Sequence, residues 1–192
     1  MVEQVYLIRH GETAWSLGGQ HTGRTDIALT ARGEAQARQV GERLRELSFT
    51  AVLASPLQRA LRTCELAALD GPLRVDEALR EWDYGQYEGL TSAQIRRRQA
   101  NWDVFRDGGL GGESPLQVSA RADGVLARLR QFEGRVAVFS HGHFLRSLAV
   151  RWIELPVQHG RSFGLAAGAI CLLGYEHRSL EEPAIELWNL EA

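Results

Sequence analysis

Lysine is absent from the 192-residue sequence, so all 22 basic side chains are arginines. Together with 24 acidic side chains they leave a formal net charge of −2 at pH 7. This near balance gives no indication of a nucleic-acid or membrane-surface partner, both of which favour strongly basic chains. Arginine does suit phosphate, because its planar guanidinium donates hydrogen bonds to two oxygens at once. The arginine bias alone, however, predicts no ligand.

Cysteines and long apolar runs are also scarce. The two cysteines, Cys64 and Cys171, lie among apolar neighbours and predict buried free thiols rather than a disulfide framework or a zinc site. Residues 4–8 have the pattern of a strand, and no basic and apolar signal segment precedes them. The longest apolar stretch, residues 164–175, is broken by glycines and is far shorter than the roughly 20 residues that span a bilayer. We therefore expect a cytoplasmic protein without a membrane partner.

The order of apolar patterns predicts an α/β protein. Short apolar runs at residues 5–8, 51–54 and 136–139 are typical of strands buried on both faces, and each is followed by a helical pattern. Residues 168–175 and 184–190 indicate two further strands in a terminal hairpin. With 44% apolar and 24% charged residues, the chain has an ordinary globular composition. We expect a single domain, residues 1–192, built as a three-layer sandwich with a mainly parallel central sheet.

Capping signals predict where three helices begin. Thr30 is placed to cap the first of them. Ser55 and Pro56 supply an N-cap and a proline at the first helical position of the second, which puts Arg59 in its first turn. Ser114 begins a capping box at the start of a long third helix.

Polar side chains follow three of the predicted strands. Arg9 and His10 come directly after the first strand. Ser55 and Arg59 follow the second, and His141 follows the third. Because ligands of such sheets bind outside the carboxyl ends of the strands, we expect these side chains to meet at one site. The predicted fold brings them together, since they are far apart along the chain.

Residues 7–13, with the sequence LIRHGET, resemble the Arg-His-Gly signature of the histidine phosphatase superfamily, which includes the cofactor-dependent phosphoglycerate mutases. Further blocks agree with the family in their order along the chain: residues 22–30, 55–63, 81–89 and 140–142. A lone Arg-His-Gly is a weak signal, whereas this ordered set is specific. The resemblance implies a phosphoglycerate-mutase-like fold.

The resemblance assigns the chemistry to three side chains. It implies that His10 forms a phosphohistidine, that Glu81 is the general acid, and that His141 is a protonated donor to the phosphoryl oxygens. A nucleophilic imidazole must be unprotonated at one nitrogen, and nearby arginine charges lower its pKa toward that state. The other ring nitrogen of His10 must keep its proton and be held by an acceptor.

The same resemblance assigns a further set of residues to the phosphate of the substrate: Arg9, Arg59, Ser16, Thr22, Gly23 and Gly142. The forked donors of the two arginines suit the equatorial oxygens of a transferring phosphoryl group. Thr22 is expected to contribute its hydroxyl and Gly23 its backbone N–H. Ser16 stands where the family often has asparagine, and its shorter hydroxyl is the expected donor.

Several segments are most similar to the branch that contains broad acid phosphatases and sedoheptulose-bisphosphatase-like enzymes: residues 18–23, 81–85, 111–115 and 140–146. His21 and His143 mark this branch, and the sequence leaves open whether they contact substrate or only pack in the wall of the site. Glu88 is expected to order its loop. Three arginines are open candidates for a second phosphate: Arg24, Arg106 and Arg161.

Metal binding is an alternative interpretation of the same residues. Glu81 and three histidines are metal ligands in principle: His10, His141 and His143. Arg9 and Arg59 beside them would repel a dication. We therefore predict neither a metal nor a cofactor.

The predicted function is hydrolysis of a small phosphate ester, such as a sugar phosphate or bisphosphate, by a histidine acid phosphatase-type phosphomonoesterase. The alternative is a phosphoglycerate-mutase-type phosphotransferase, which usually carries a longer lid than the 60 positions from Glu81 to His141 accommodate. A non-catalytic phosphate-binding module is the third option, and the presence of a nucleophile, an acid and both arginines disfavours it. Substrate identity and oligomeric state stay open.

Overall fold

The computed structural model describes residues 2–191, apart from the side chain of Arg178, and contains a six-stranded sheet with the strand order β3-β2-β4-β1-β5-β6. The strands are β1 (Val2–Arg9), β2 (Ala51–Ala54), β3 (Leu73–Val75), β4 (Gly134–Ser140), β5 (Ile170–Tyr175) and β6 (Pro183–Leu190). The β1–β4, β2–β4 and β2–β3 pairs are parallel, whereas β5 pairs antiparallel with β1 and β6. The predicted, mainly parallel α/β sheet and the terminal hairpin are confirmed.

Seven α-helices lie between the strands of the described chain: α1 (Ala14–Leu17), α2 (Ala31–Leu44), α3 (Gln58–Ala67), α4 (Ser92–Arg98), α5 (Val104–Asp107), α6 (Pro115–Leu129) and α7 (Gly142–Trp152). Short 3₁₀ helices add three further turns: Glu77–Leu79, Val157–Ser162 and Glu176–Arg178. No helix in residues 2–191 is long and apolar enough to cross a membrane.

Two apolar layers cover the sheet, because successive side chains of a strand point to opposite faces. One layer joins Leu7, Val136 and Val138 to buried side chains of α6 and α7. The other joins Ile8 and Phe139 to buried side chains of α2 and α3. Burial on both faces is the reason why these strands have unbroken apolar sequences.

Two of the predicted helix starts are confirmed, and one is wrong. The hydroxyls of Thr30 and Ser114 cap α2 and α6, as the sequence signals indicate. Helix α3 begins at Gln58 rather than at Pro56, and its Gln58 N–H donates to Asp26 Oδ1 at 2.8 Å. A carboxylate from a distant loop therefore caps this helix, which no local pattern around Ser55 reveals.

The sequence also gave no indication of β3, the shortest strand. Leu73 and Val75 in this strand are 46% and 53% exposed, so the strand lacks the buried apolar run that identified the others. Both cysteines are buried free thiols, as predicted. Burial raises the pKa of Cys64 to about 12 and that of Cys171 to about 11.

The register of the parallel strands aligns the segments that carry the candidate site. Arg9 of β1 pairs with Ser140 of β4, and Ala54 of β2 pairs with Phe139 of β4. Because these three strands are neighbours and end at the same level, the residues that follow them lie together at the carboxyl edge of the sheet.

Two helical glycines provide a matched test of packing between helices. A Cβ atom on Gly41 of α2 would lie 2.3 Å from the carbonyl oxygen of Ala67 in α3, whereas Gly124 of α6 is exposed and nothing crowds a Cβ there. Gly124→Ala should stabilise the protein by about 0.5–1 kcal/mol, since alanine is the better helix former. Gly41→Ala should destabilise it by about 1–3 kcal/mol, because the helices must separate. Urea unfolding measures both changes, and shifts of the same sign would contradict this description of the α2–α3 contact.

Candidate active site

A cleft of about 170 Å³ opens where β1 and β4 end. Six of the predicted site residues line it: Arg9, His10, Ser16, Thr22, Glu81 and Gly142. Arg59 and His141 have no exposed surface and lie behind His10, whose ring centroid is 5.2 Å from that of His141. The structure thus brings the predicted catalytic residues together but places two of the predicted residues in a second layer.

His10 has one ring nitrogen bound and the other free for chemistry. Its Nδ1 lies 2.7 Å from the carbonyl oxygen of Gly11, which can only accept, so Nδ1 carries the proton. Burial lowers the pKa of His10 well below 6.5, and the charges of Arg9 and Arg59 lower it further. His10 is therefore neutral, with an unprotonated Nε2, which is the state that nucleophilic attack requires.

Arg9 is the arginine that lines the cleft. Its guanidinium donates to the carbonyl of Leu165, while its Nε is buried and has no hydrogen-bond partner among residues 2–191. An unpaired buried donor is costly, which favours an anion that can reach the guanidinium. Gly142 makes room for the guanidinium, because a Cβ at this position would lie 3.3 Å from Arg9 Cζ.

Arg59 uses its donors on the protein itself. Nε donates to His141 Nδ1 at 3.1 Å, and the two terminal nitrogens donate to the carbonyls of Thr22, Gly23 and Thr25 at 2.9–3.0 Å. Direct binding of phosphate by Arg59 stays a prediction. Its charge lies close to the cleft, while its hydrogen bonds hold the loop of residues 22–25.

His141 is neutral in this structure, and its role as a protonated donor to a bound phosphate stays a prediction. Burial lowers its pKa well below 6.5, and the charge of Arg59 lowers it further. Since Arg59 donates to Nδ1, the remaining proton of the neutral ring is on Nε2, which lies 2.8 Å from Ser55 Oγ. Ser55 therefore supports His141 and neither caps α3 nor faces the cleft.

Glu81 lies at the N-terminus of α7. Its Oε1 accepts the N–H groups of Trp82 and Phe144 at 2.9 and 2.8 Å, and its Oε2 accepts the N–H of His143 at 3.0 Å. The open end of a helix supplies two of these three donors, and it carries partial positive charge. The carboxyl group is thereby held at a defined place in the wall of the cleft, with 8% of the residue exposed.

Glu88 orders the loop beside the cleft, as predicted. Its carboxylate accepts the Gly23 N–H at 2.8 and 3.0 Å and the Thr25 N–H at 3.1 Å. The Gly23 N–H is therefore bound to Glu88 in this structure, and its contact with the substrate stays a prediction. The Thr22 hydroxyl donates to the Gln20 carbonyl at 3.3 Å, and its contact with the substrate stays a prediction.

Ser16 is engaged locally at the start of α1. Its hydroxyl donates to the carbonyl of Thr13 at 3.0 Å and accepts the Thr13 N–H at 2.9 Å. It lines the cleft, but its proton is committed to this capping box. A contact between Ser16 and phosphate therefore stays a prediction that requires the hydroxyl to rotate.

His21 and His143 form an aromatic wall of the cleft together with Tyr84. Their rings are 5.6 Å apart, and the Tyr84 hydroxyl lies 2.6 Å from His143 Nδ1. Burial lowers the pKa of His21 to about 4 and that of His143 well below 6.5. Both rings are therefore neutral at pH 7.

The arginine that adds a second positive charge to the cleft is Arg146. Its Nε and one terminal nitrogen donate to the carbonyls of Gly160 and Arg161 at 2.8 and 3.0 Å. The three arginines proposed for a second phosphate instead form ion pairs outside the cleft lining: Arg24, Arg106 and Arg161. Sequence reasoning missed Arg146, although it follows the HGH motif at helical spacing on α7.

Among residues 2–191, no group of three or more His, Cys, Asp or Glu side chains is arranged to hold a metal ion. The histidines of the cleft instead find partners in carbonyl, hydroxyl and guanidinium groups.

A family model of the histidine phosphatase superfamily (branch 1) matches residues 5–191. An acid phosphatase of Mycobacterium tuberculosis is 44% identical over 178 residues, which cover 91% of this chain and 87% of the relative. A sedoheptulose 1,7-bisphosphatase of Saccharomyces cerevisiae is 33% identical, with 94% and 90% covered. The solved structure of an open reading frame product from M. tuberculosis superposes with a TM-score of 0.92 at 40% identity and 98% coverage of both chains. The chain belongs to the histidine phosphatase superfamily.

The neutral state of His21 predicts a pH-dependent stability. Its folded pKa of about 4 lies below its unfolded value of 6.5, so the unfolded state binds more protons as the pH falls through that window, and stability is lost. Between pH 7.5 and pH 5 the loss from this residue amounts to about 2 kcal/mol. The unfolding free energy of wild type minus that of His21→Gln should therefore decrease by about 2 kcal/mol when the pH is lowered from 7.5 to 5. A difference that stays constant in denaturant titrations at the two pH values would show that His21 is not held neutral.

Proposed function

We propose that the protein is a metal-independent phosphomonoesterase that transfers a phosphoryl group from a small phosphate ester first to His10 and then to water. The observation that carries this proposal is the state of His10. The ring is neutral, its Nδ1 proton is held by the Gly11 carbonyl, and Nε2 is free beside an arginine with an unused donor.

The first step forms a bond between His10 Nε2 and phosphorus while the bond from phosphorus to the ester oxygen breaks. Glu81 gives its proton to the departing oxygen, which leaves as an alcohol. That step requires the acid form of Glu81. In the second step Glu81 takes a proton from water, the oxygen attacks phosphorus, and the nitrogen–phosphorus bond breaks to release phosphate.

Arginines stabilise the charge on the transferring group. Arg9 lines the cleft and places its positive charge beside the equatorial oxygens of the transferring group. Arg59 contributes its positive charge from behind His10 and fixes the position of His141. With guanidinium groups in this role, the proposed reaction requires no metal.

The proposed substrates are small phosphorylated metabolites, such as sugar phosphates and bisphosphates. A cleft of about 170 Å³ suits a compact ester, and Arg146 in its wall provides a second cation for an anionic group. Two of the relatives are an acid phosphatase and a sedoheptulose 1,7-bisphosphatase, which supports hydrolysis of phosphomonoesters. Transfer to a second alcohol, as in a mutase, is distinguished by the product, which is then an isomeric ester and not free phosphate.

The phosphohistidine is tested with p-nitrophenyl phosphate in the presence of a chelator. Enzyme quenched during turnover should carry phosphate that is labile in acid and stable in alkali. His10→Ala should abolish both the protein-bound phosphate and turnover. His159→Ala, which changes an exposed histidine, should retain both. Turnover that survives in His10→Ala would refute the nucleophile, and loss on chelation with rescue by a divalent cation would refute metal independence.

The role of Glu81 is tested by comparing leaving groups. An alkoxide leaves poorly without a proton, whereas p-nitrophenolate leaves largely unaided. Glu81→Gln keeps the shape but lacks the proton, and should slow single-turnover phosphorylation of His10 by a sugar phosphate about 10²–10⁴-fold, with a much smaller effect for the aryl ester. Glu88→Gln is the matched control, because that carboxylate only holds the loop. Equal losses for both esters, or a selective loss in Glu88→Gln, would remove Glu81 from this role.

A further inference from the structure

Arg121 and Glu113 form an ion pair behind Glu81. Arg121 lies on α6, and its Nε and one terminal nitrogen reach Glu113 Oε1 and Oε2 at 2.8 and 2.7 Å. The side chains are only 18% and 22% exposed. Two parallel, partly buried hydrogen bonds between charged groups fix orientation in a way that a single exposed ion pair does not.

The guanidinium of Arg121 also holds the chain that leads into Glu81. Its other terminal nitrogen donates to the carbonyls of Ala78 and Arg80 at 2.9 and 2.7 Å. The nitrogen that is paired with Glu113 lies 3.5 Å from the carbonyl oxygen of Glu81 itself. One side chain thus holds three carbonyl groups of the segment that ends at the candidate acid.

Glu113 holds the chain that leaves Glu81. Its Oε2 accepts the Asp83 N–H at 2.9 Å, and its backbone carbonyl accepts Trp82 Nε1–H at 2.8 Å. Its own N–H donates to the Asp83 carbonyl at 2.9 Å. The Arg121–Glu113 pair therefore forms hydrogen bonds with the backbone on both sides of Glu81.

A third contact reaches the donors of the Glu81 carboxylate. Arg121 Cζ lies 4.2 Å from the ring centroid of Phe144, a distance at which a cation and an aromatic face attract. The N–H of Phe144 donates to Glu81 Oε1 at 2.8 Å. The backbone and the carboxylate of Glu81 are both connected to the same guanidinium.

We propose that Arg121, through its pair with Glu113, is a positioning residue that sets the place of the Glu81 carboxyl group in the cleft. The inference rests on the proposed role of Glu81 as general acid and base. Arg121 is not among the residues that line the cleft, and its hydrogen bonds reach the site through the chain around Glu81. Its charge also lowers the pKa of His141, but it makes no contact with His10. Its loss should therefore impair the step that needs the proton and leave the nucleophile intact.

The test measures single-turnover phosphorylation of His10 by a sugar phosphate and by p-nitrophenyl phosphate. Arg121→Gln should slow the reaction of the sugar phosphate about 10–100-fold, as expected for a displaced catalytic group, and change the aryl ester reaction far less. Arg151→Gln is the matched control, because Arg151 forms a similar two-contact pair with Asp123 on the surface, at 2.8 and 3.3 Å. Arg151→Gln should change the rates with the two esters by the same factor.

Glu81→Gln and the double variant Glu81→Gln/Arg121→Gln separate the possible failures. If Arg121 acts through Glu81, the rate with the sugar phosphate should fall no further relative to the aryl ester in the double variant than in Glu81→Gln alone. A selective loss in Glu81→Gln together with equal losses in Arg121→Gln would overturn this inference and keep the proposed function. No selectivity in Glu81→Gln would overturn both.

Thermal denaturation followed by circular dichroism shows whether each variant is folded. If Arg121→Gln does not fold, Glu113→Gln takes its place, because it weakens the pair and leaves the carbonyl contacts of Arg121 intact. Glu113→Gln should also slow the reaction of the sugar phosphate more than that of the aryl ester, by a smaller factor than Arg121→Gln. Equal losses with both esters would overturn the inference.

Discussion

The buried guanidinium of Arg59 is the group on which the geometry of the site depends. It has no exposed surface, and its hydrogen bonds end on His141 and on the carbonyls of Thr22, Gly23 and Thr25. A buried charge without partners costs several kcal/mol, so the arginine is stable there only while these acceptors converge on it. One side chain on α3 thereby connects the segment after β4 with the loop that follows α1.

The same positive charge separates the roles of the titratable groups. Burial and the arginines keep His10 and His141 neutral, although histidines near pH 7 are otherwise partly protonated. Glu81 lies among backbone donors at the start of α7, which hold its carboxyl group in place. The proposed phosphoryl transfer needs an unprotonated imidazole nitrogen as nucleophile and a carboxyl group as proton donor, and His10 and Glu81 lie in one cleft.

The contacts that the sequence did not reveal have a common physical cause. Thr30 and Ser114 cap their helices within three residues, and such local hydrogen bonds follow from sequence patterns. The start of α3 depends on Asp26, and the N–H of Gly23 is taken by Glu88. These partners are 32 and 65 residues away along the chain, a distance over which capping and motif rules carry no information.

The sequence alone determined the α/β class, because strands covered on both faces must have unbroken apolar runs. Its ordered set of motifs also predicted that His10, Arg9 and Glu81 would share one site, and all three line the cleft. Only the tertiary structure decided which nitrogen of His10 is free, since a hydrogen bond to the Gly11 carbonyl sets the tautomer. It also decided that Arg59 and His141 lie behind the cleft lining and that Arg146 is part of it. Burial, hydrogen-bond partners and charge at the site depend on contacts between segments that meet only when the sheet has formed.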